Sequence, residues 1–170
     1  AYEQVRDDAA RRRYAGVRRQ EEEDRVAQEA AERALEAERW FRKGSALLNG
    51  KRYSEAAEAF GMAAHLDPDE GEYLAHLGWA LYLTNPKDEM VRREANEHLA
   101  RGIKQTRDRP LPYVYLGRMF QAVDAQNRAR KMFQKALQLD PDCHPALQEL
   151  RLLNMRKQKG KGLRGWFRGK

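Results

Sequence analysis

Any chemistry in these 170 residues would have to come from four histidines, one cysteine and 26 carboxylates. His65, His76, His98 and His144 are scattered, with no spacing that suits metal ligation. Cys143 stands alone, so no disulfide or thiolate cluster can form within the chain, and it reads as a small buried residue, not a nucleophile. The acids lie on stretches rich in helix formers, where solvated charge accounts for them. No Gly-rich phosphate loop follows a strand. These patterns point away from an enzyme and call for no cofactor and no metal. One stretch keeps a chemical interest. In "KGKGLRGWFRGK", residues 159–170, Lys159, Lys161, Arg164, Arg168 and Lys170 are interleaved with Leu163, Trp166 and Phe167. Basic and aromatic residues together attract an anionic lipid surface or a nucleic-acid strand, so weak contact with either is one role for this tail. A disordered solubilising tail and docking of Trp166 and Phe167 on a protein surface are the other two. Gly160, Gly162, Gly165 and Gly169 argue against a preformed helix here.

The formal charge of +7 belongs to the same end of the chain. Residues 156–170 hold seven bases and no acid, so the preceding 155 residues sum to zero. No apolar run approaches the ~20 residues of a membrane span, and no basic-then-apolar leader is present, which makes a cytoplasmic protein the default reading.

Two segments that would position such residues repeat each other. "YSEAAEAFGMAAHLDPD", residues 53–69, is echoed by "NRARKMFQKALQLDPD", residues 127–142. Ala56, Phe60, Ala63 and Pro68 recur as Ala129, Phe133, Ala136 and Pro141 at a constant offset. A middle copy carries Ala95, Leu99 and Gly102, displaced by a five-residue surplus that falls in "TNPKDEMVRRE", residues 84–94, where Asn-Pro marks a loop. Upstream of each copy lie "WFRKGSAL", "LAHLGWAL" and "YVYLGRMF", with Gly44, Gly78 and Gly117 in the same place. Glycine inside a helix costs about 1 kcal/mol relative to alanine, so its threefold recurrence predicts a partner helix packed where a side chain would not fit. Ala56, Ala95 and Ala129 provide the matching small surface.

On these residues the chain resembles the tetratricopeptide repeat (TPR) family, whose pattern is W-x2-L-G-x2-Y, A-x3-F and a closing Pro. The expected fold is all-α: a right-handed superhelical solenoid of three helix-turn-helix units at 37–70, 71–109 and 110–143. The third unit matches best. The first departs at Lys43, and the second has Arg107 where the proline belongs, which implies a looser turn; Pro110 and Pro112 can still start the next helix. Residues 144–158 read as an end helix, with Ala146, Leu147, Leu150 and Leu153 toward the last unit and Gln148, Arg151 and Arg156 toward water.

At the other end, residues 17–43 contain no Gly or Pro and predict a long helix running into the first unit. Its stripe is mostly alanine, so the part at 17–36 is either a solvated charged spacer or a helix that packs on a second copy; pairs such as Glu21–Arg25 and Glu29–Arg33 add a few tenths of a kcal/mol each. "AYEQVRDDAARRRY" is similar to the end of a J-domain at Ala1, Tyr2, Val5, Asp7, Arg11, Arg13 and Tyr14, which implies a turn at the Asp and a boundary near residue 16. The His-Pro-Asp tripeptide of that DnaJ-like family is absent. The resemblance implies the C-terminal part of a longer J-domain and TPR protein, whose chaperone partner would be reached through the missing upstream domain.

The TPR resemblance implies a non-catalytic adaptor that binds a protein or peptide in a concave groove lined by the first helix of each unit. Carried over, the groove residues are Phe41, Arg42, Ser45 and Asn49; His76, Trp79 and Tyr82; and Val114, Tyr115, Arg118 and Gln121. This set suits an extended or helical segment with apolar anchors, and its two arginines suit a carboxylate. The carboxylate clamp that some family members use on heat-shock chaperone tails is not matched, because its positions hold Phe41, Ser45, His76, Leu111 and Tyr115. Trp79 and Tyr82 can alternatively pack on each other.

Overall fold

The computed structural model describes residues 2–106 and 108–167, with side chains described at 11, 13–106 and 108–156. Seven helices follow one another: α1 (Tyr2–Asn49), α2 (Tyr53–Leu66), α3 (Gly71–Thr84), α4 (Glu89–Gln105), α5 (Leu111–Ala122), α6 (Gln126–Leu139) and α7 (His144–Phe167). There is no strand among the described residues. Each helix packs on its neighbours in sequence, and α3 also touches α5 across the stack. Three hairpins result: the end of α1 with α2, α3 with α4, and α5 with α6. The long helix α7 closes the array against α6.

The small-against-large packing expected from the repeat is what joins each hairpin. Ala56, Ala95 and Ala129 are fully buried, as are Phe60, Leu99 and Phe133 one turn further on. A Cβ on Gly44 would lie 2.8 Å from the Phe60 ring, and one on Gly117 would overlap the Phe133 ring. At Gly78 the obstacle is backbone: the Ala95 carbonyl oxygen would be 2.6 Å from the added carbon. The middle hairpin is also closed at its other end, where Gly71 and Gly102 face each other with the Gly102 oxygen only 2.6 Å from a Cβ built on Gly71.

The surplus of the middle unit lies within residues 84–94, as expected, but most of it is helix and not loop. Helix α4 has 17 residues against 14 for α2 and α6, so residues 89–94 are helical and the loop is confined to 85–88. Asp88 explains this start: its carboxylate accepts from the backbone N–H of Met90 at 2.8 Å and of Val91 at 3.2 Å, an N-cap that extends α4 by nearly one turn. The hairpin turns of the first and third units share another device. Lys51 and Asp124 adopt left-handed backbone at φ 59° and 57°. The next residue then donates back into the finished helix, Arg52 to the Leu47 carbonyl and Ala125 to that of Phe120, each at 2.9 Å.

The ends differ most from expectation. Helix α1 is continuous from Tyr2, so no turn falls at Asp7. Its described residues up to Glu36 are almost all exposed, and Ala37 is the first to be buried. Arg25 pairs with Glu22 at 2.6 Å and Glu29 at 3.2 Å in place of Glu21, and Arg33 donates to the Glu29 carbonyl in place of its carboxylate. Lys43, the departure from the repeat pattern, places its ammonium 4.4 Å from the Trp40 ring centre. Helix α7 does not end at residue 158 but keeps helical backbone to Phe167. The expectation of a disordered tail from 159 is therefore corrected for 159–167. Gly160, Gly162 and Gly165 each weaken the helix, but no proline interrupts the stretch, and helix propagation from a docked segment needs no new nucleus. Arg107 lies outside the described residues.

Gly78→Ala is expected to lower stability by about 2 kcal/mol, since a backbone carbonyl cannot move aside as a side-chain end can. Gly61→Ala, with nothing within 4 Å of its added Cβ, should raise stability by about 0.5–1 kcal/mol. Urea midpoints of the two variants measure the contrast.

Candidate functional site

The first helices α1, α3 and α5 bring a row of rings to one face. Phe41 on α1 touches Phe60, Tyr73 and His76 with ring centres 5.5, 5.0 and 4.9 Å away. His76 on α3 meets the Tyr115 ring of α5 edge-on at 5.4 Å. Tyr115 then lies parallel to Trp79 (5.1 Å, 2° between planes), and Trp79 stacks in turn on Tyr82 at 5.6 Å. Arg118 lies over Trp79 at 5.8 Å. The periodicity explains the row, because Trp79 and Tyr82 are three apart on one helix and His76 is three before Trp79.

Burial sorts the residues assigned to the groove. Val114 is fully inaccessible and packs with Ala129, Phe133 and Cys143, so it is a core residue and not a ligand contact. His76, Tyr82 and Tyr115 are 7%, 5% and 7% exposed and act from beneath the surface. Phe41 and Trp79 are half-buried, as are Ser45, Arg118 and Gln121, while Arg42 and Asn49 are exposed. Ser45 donates to the Phe41 carbonyl at 2.9 Å. Neither arginine is a free anion receptor: Arg42 pairs with Glu38 at 2.8 Å and Arg118 with Glu149 of α7 at 2.7 Å. The basic tail residues Lys159, Lys161, Arg164, Trp166 and Phe167 lie on the helical end of α7, and their side chains lie outside the described residues, as do Arg168 and Lys170 entirely.

Two acids were not singled out by the sequence. Glu149 reaches across from α7 to hold Arg118. Glu72 pairs with Arg109 at 2.9 Å, and its backbone carbonyl lies 2.9 Å from His76 Nδ1. Since a carbonyl only accepts, Nδ1 carries the proton. His76 Nε2 is then the acceptor for the Tyr115 hydroxyl, 3.1 Å away. Burial pushes the Tyr115 phenol up to about 12, so it stays protonated as the donor. Burial also holds His76 below its ordinary value, against the opposing influence of the Glu72 carbonyl and carboxylate. The arrangement has no nucleophile poised beside a base, and no group of three His, Cys, Asp or Glu that could hold a metal is found among the described residues.

The sign of the pH dependence follows. A histidine whose folded pKa is depressed leaves the unfolded chain binding more protons below 6.5, so its contribution is complete above that pH and is lost as pH falls through the folded value. Urea midpoints should therefore drop on acidification more steeply for the wild type than for His76→Phe. Tyr115→Phe should cost about 1–2 kcal/mol at neutral pH by leaving Nε2 unpaired.

No protein-family model matches the sequence, and no curated protein matches it. Solved structures do. The TPR domain of Arabidopsis OM64 superposes with a TM-score of 0.61 at 18% identity, covering 73% of this chain and 98% of that one. The first TPR of Spaghetti (RPAP3), bound to an HSP90 peptide, gives 0.62 at 18% identity over 74% of this chain and 98% of that one. The second TPR domain of human RPAP3, in complex with an HSP70 peptide, gives 0.57 at 17% identity over 74% and 98%. At such identities the likeness speaks for architecture, and it agrees with the glycine-spaced hairpins: the chain folds as an all-α TPR solenoid.

Proposed function

We propose that this protein is a non-catalytic adaptor that takes a segment of another protein on the face formed by α1, α3 and α5. The observation that carries the reading is the ring stack. Trp79 is held half-exposed between Tyr115 and Tyr82, with Tyr115 itself tied to His76. A large planar side chain fixed in one orientation loses little entropy when a ligand covers it, which is what makes Trp and Tyr strong anchors. Structures of the same fold with bound chaperone peptides lend support to a protein or peptide ligand.

The ligand suited to this face has apolar or planar anchors and little charge. Phe41, His76 and Tyr115 occupy positions where the chaperone-binding members of the resembled family place Lys, Asn and Arg, and both groove arginines are already paired. An acidic chaperone tail therefore has few partners here. A co-chaperone role rests on the resemblance at residues 1–14 alone.

Selection of displayed peptides on the immobilised full chain should enrich segments with aromatic, aliphatic or proline anchors. Trp79→Ala should weaken the selected peptides about tenfold or more. Asn49→Arg, at the exposed rim, should weaken them without touching the stack, whereas Arg93→Ala on the opposite surface of α4 should leave them unchanged. Equal retention by wild type and both groove variants would sink the proposal.

A further inference from the structure

From Val17 to Glu36 every side chain of α1 is exposed, and the charges of this part of the helix are ordered by position. Arg11, Arg13, Arg18 and Arg19 come before residue 20, with no acid among residues 11–19. Residues 20–36 then hold seven acids, with only Arg25 and Arg33 as bases. A helix that stands alone in water gains from acids and bases interleaved three or four residues apart. Between Val17 and Glu36 that pairing is confined to Arg25, which holds Glu22 and Glu29. Arg13, Arg19, Glu21, Glu23 and Glu36 make no ion pair among the described residues. One side of the acidic half is also small. Ala27, Ala30, Ala31 and Ala34 share it, bordered by Val26 and Leu35, which are 51% and 57% exposed.

We propose that the exposed part of α1 pairs antiparallel with the same segment of a second copy of this chain, about a two-fold axis near residue 20. Charge complementarity selects both the partner and the direction. An antiparallel pair sets the arginines at 11–19 of each copy beside the acids at 21–29 of the other, twice over by symmetry. A parallel pair would align acid with acid. An unrelated acidic or basic helix would suit only one half of the segment, whereas the same sequence reversed suits both. The alanine side adds no selectivity, but it lets a partner helix come close. Burial in the repeats begins at Ala37. In such a pair the two copies of residue 37 lie about 50 Å apart at 1.5 Å per residue, so the solenoids sit at opposite ends of the pair. The dimer would present two ring-bearing faces, and two linked faces raise avidity without any new contact. The pairing itself does not depend on what those faces bind.

Sedimentation equilibrium of the full chain tests this. A dimer is expected at low salt, with a dissociation constant that rises at least tenfold at high salt, where exposed charges are screened. Arg13→Glu with Arg19→Glu should sediment as a monomer, and so should Glu21→Arg with Glu23→Arg. An equal mixture of these two variants should recover the dimer, a result that loss of folding could not give. A spin label attached through Glu36→Cys, with Cys143 buried, should lie about 50 Å from its counterpart in the other copy. A monomer at low salt, unchanged dimerisation of either charge-reversed variant, or a mixture that stays monomeric would each overturn the proposal. So would the short label separation that a parallel pair gives.

Discussion

The closest constraint in this molecule is the approach of paired helices to a separation that leaves no room for a Cβ. At Gly78 the facing atom is the Ala95 carbonyl oxygen, and at Gly71 it is the Gly102 carbonyl oxygen. Neither can rotate away. The hairpin angle is thereby set by backbone against backbone, and the large residues Phe60, Leu99 and Phe133 fill the space on either side of the contact. Everything on the first-helix face inherits its position from these joints. The spacing of α1, α3 and α5 decides whether Phe41 reaches His76 and whether Tyr115 lies flat against Trp79.

That face is unusual in being engaged with itself. Each ring that the repeat register directs toward a ligand already has a ring partner, and each arginine already has a carboxylate. The buried His76 imidazole is central, because its two nitrogens are spoken for by α3 and α5 at once. A network satisfied at every member is rigid, and rigidity in a binding face lowers the ordering cost that a ligand would otherwise have to offset. The same network makes the face sparing in charge, while charge collects at the ends: acids along the exposed part of α1 between 20 and 38, bases on α6 and α7.

Particular residues show why some of this was readable and some was not. The hairpin joints were legible because glycine inside a helix is destabilising unless something needs the space, and three glycines at one register position leave little else to conclude. The length and place of the middle unit's surplus were legible too, but its conformation was not, since the Asp88 cap pulled residues 89–94 into helix against the loop signal of Asn-Pro. The left-handed residues Lys51 and Asp124 stand where glycine would have announced the turn; a donor reaching back to the finished helix stabilises them, and no composition signal marks it. Val114 was assigned outward from its repeat position, yet the third hairpin buries it completely, because α7 packs on α6 and closes that end of the core.

Helix content, hairpin count, the small-on-large register and the concentration of bases at the C-terminal end were written in the amino-acid sequence, because each depends on the type and spacing of residues within a few turns of one another. Which of Glu22, Glu29 or Glu21 pairs with Arg25, whether groove residues face water or a neighbouring ring, and how far α7 runs depend on groups brought together from separate helices or on rotamers chosen among near-equal neighbours. His76 makes the division plain. Its place on the inner face of α3 follows from its register, but its bond to the Tyr115 hydroxyl joins residues 39 positions apart, and only the packed solenoid brings that donor within reach.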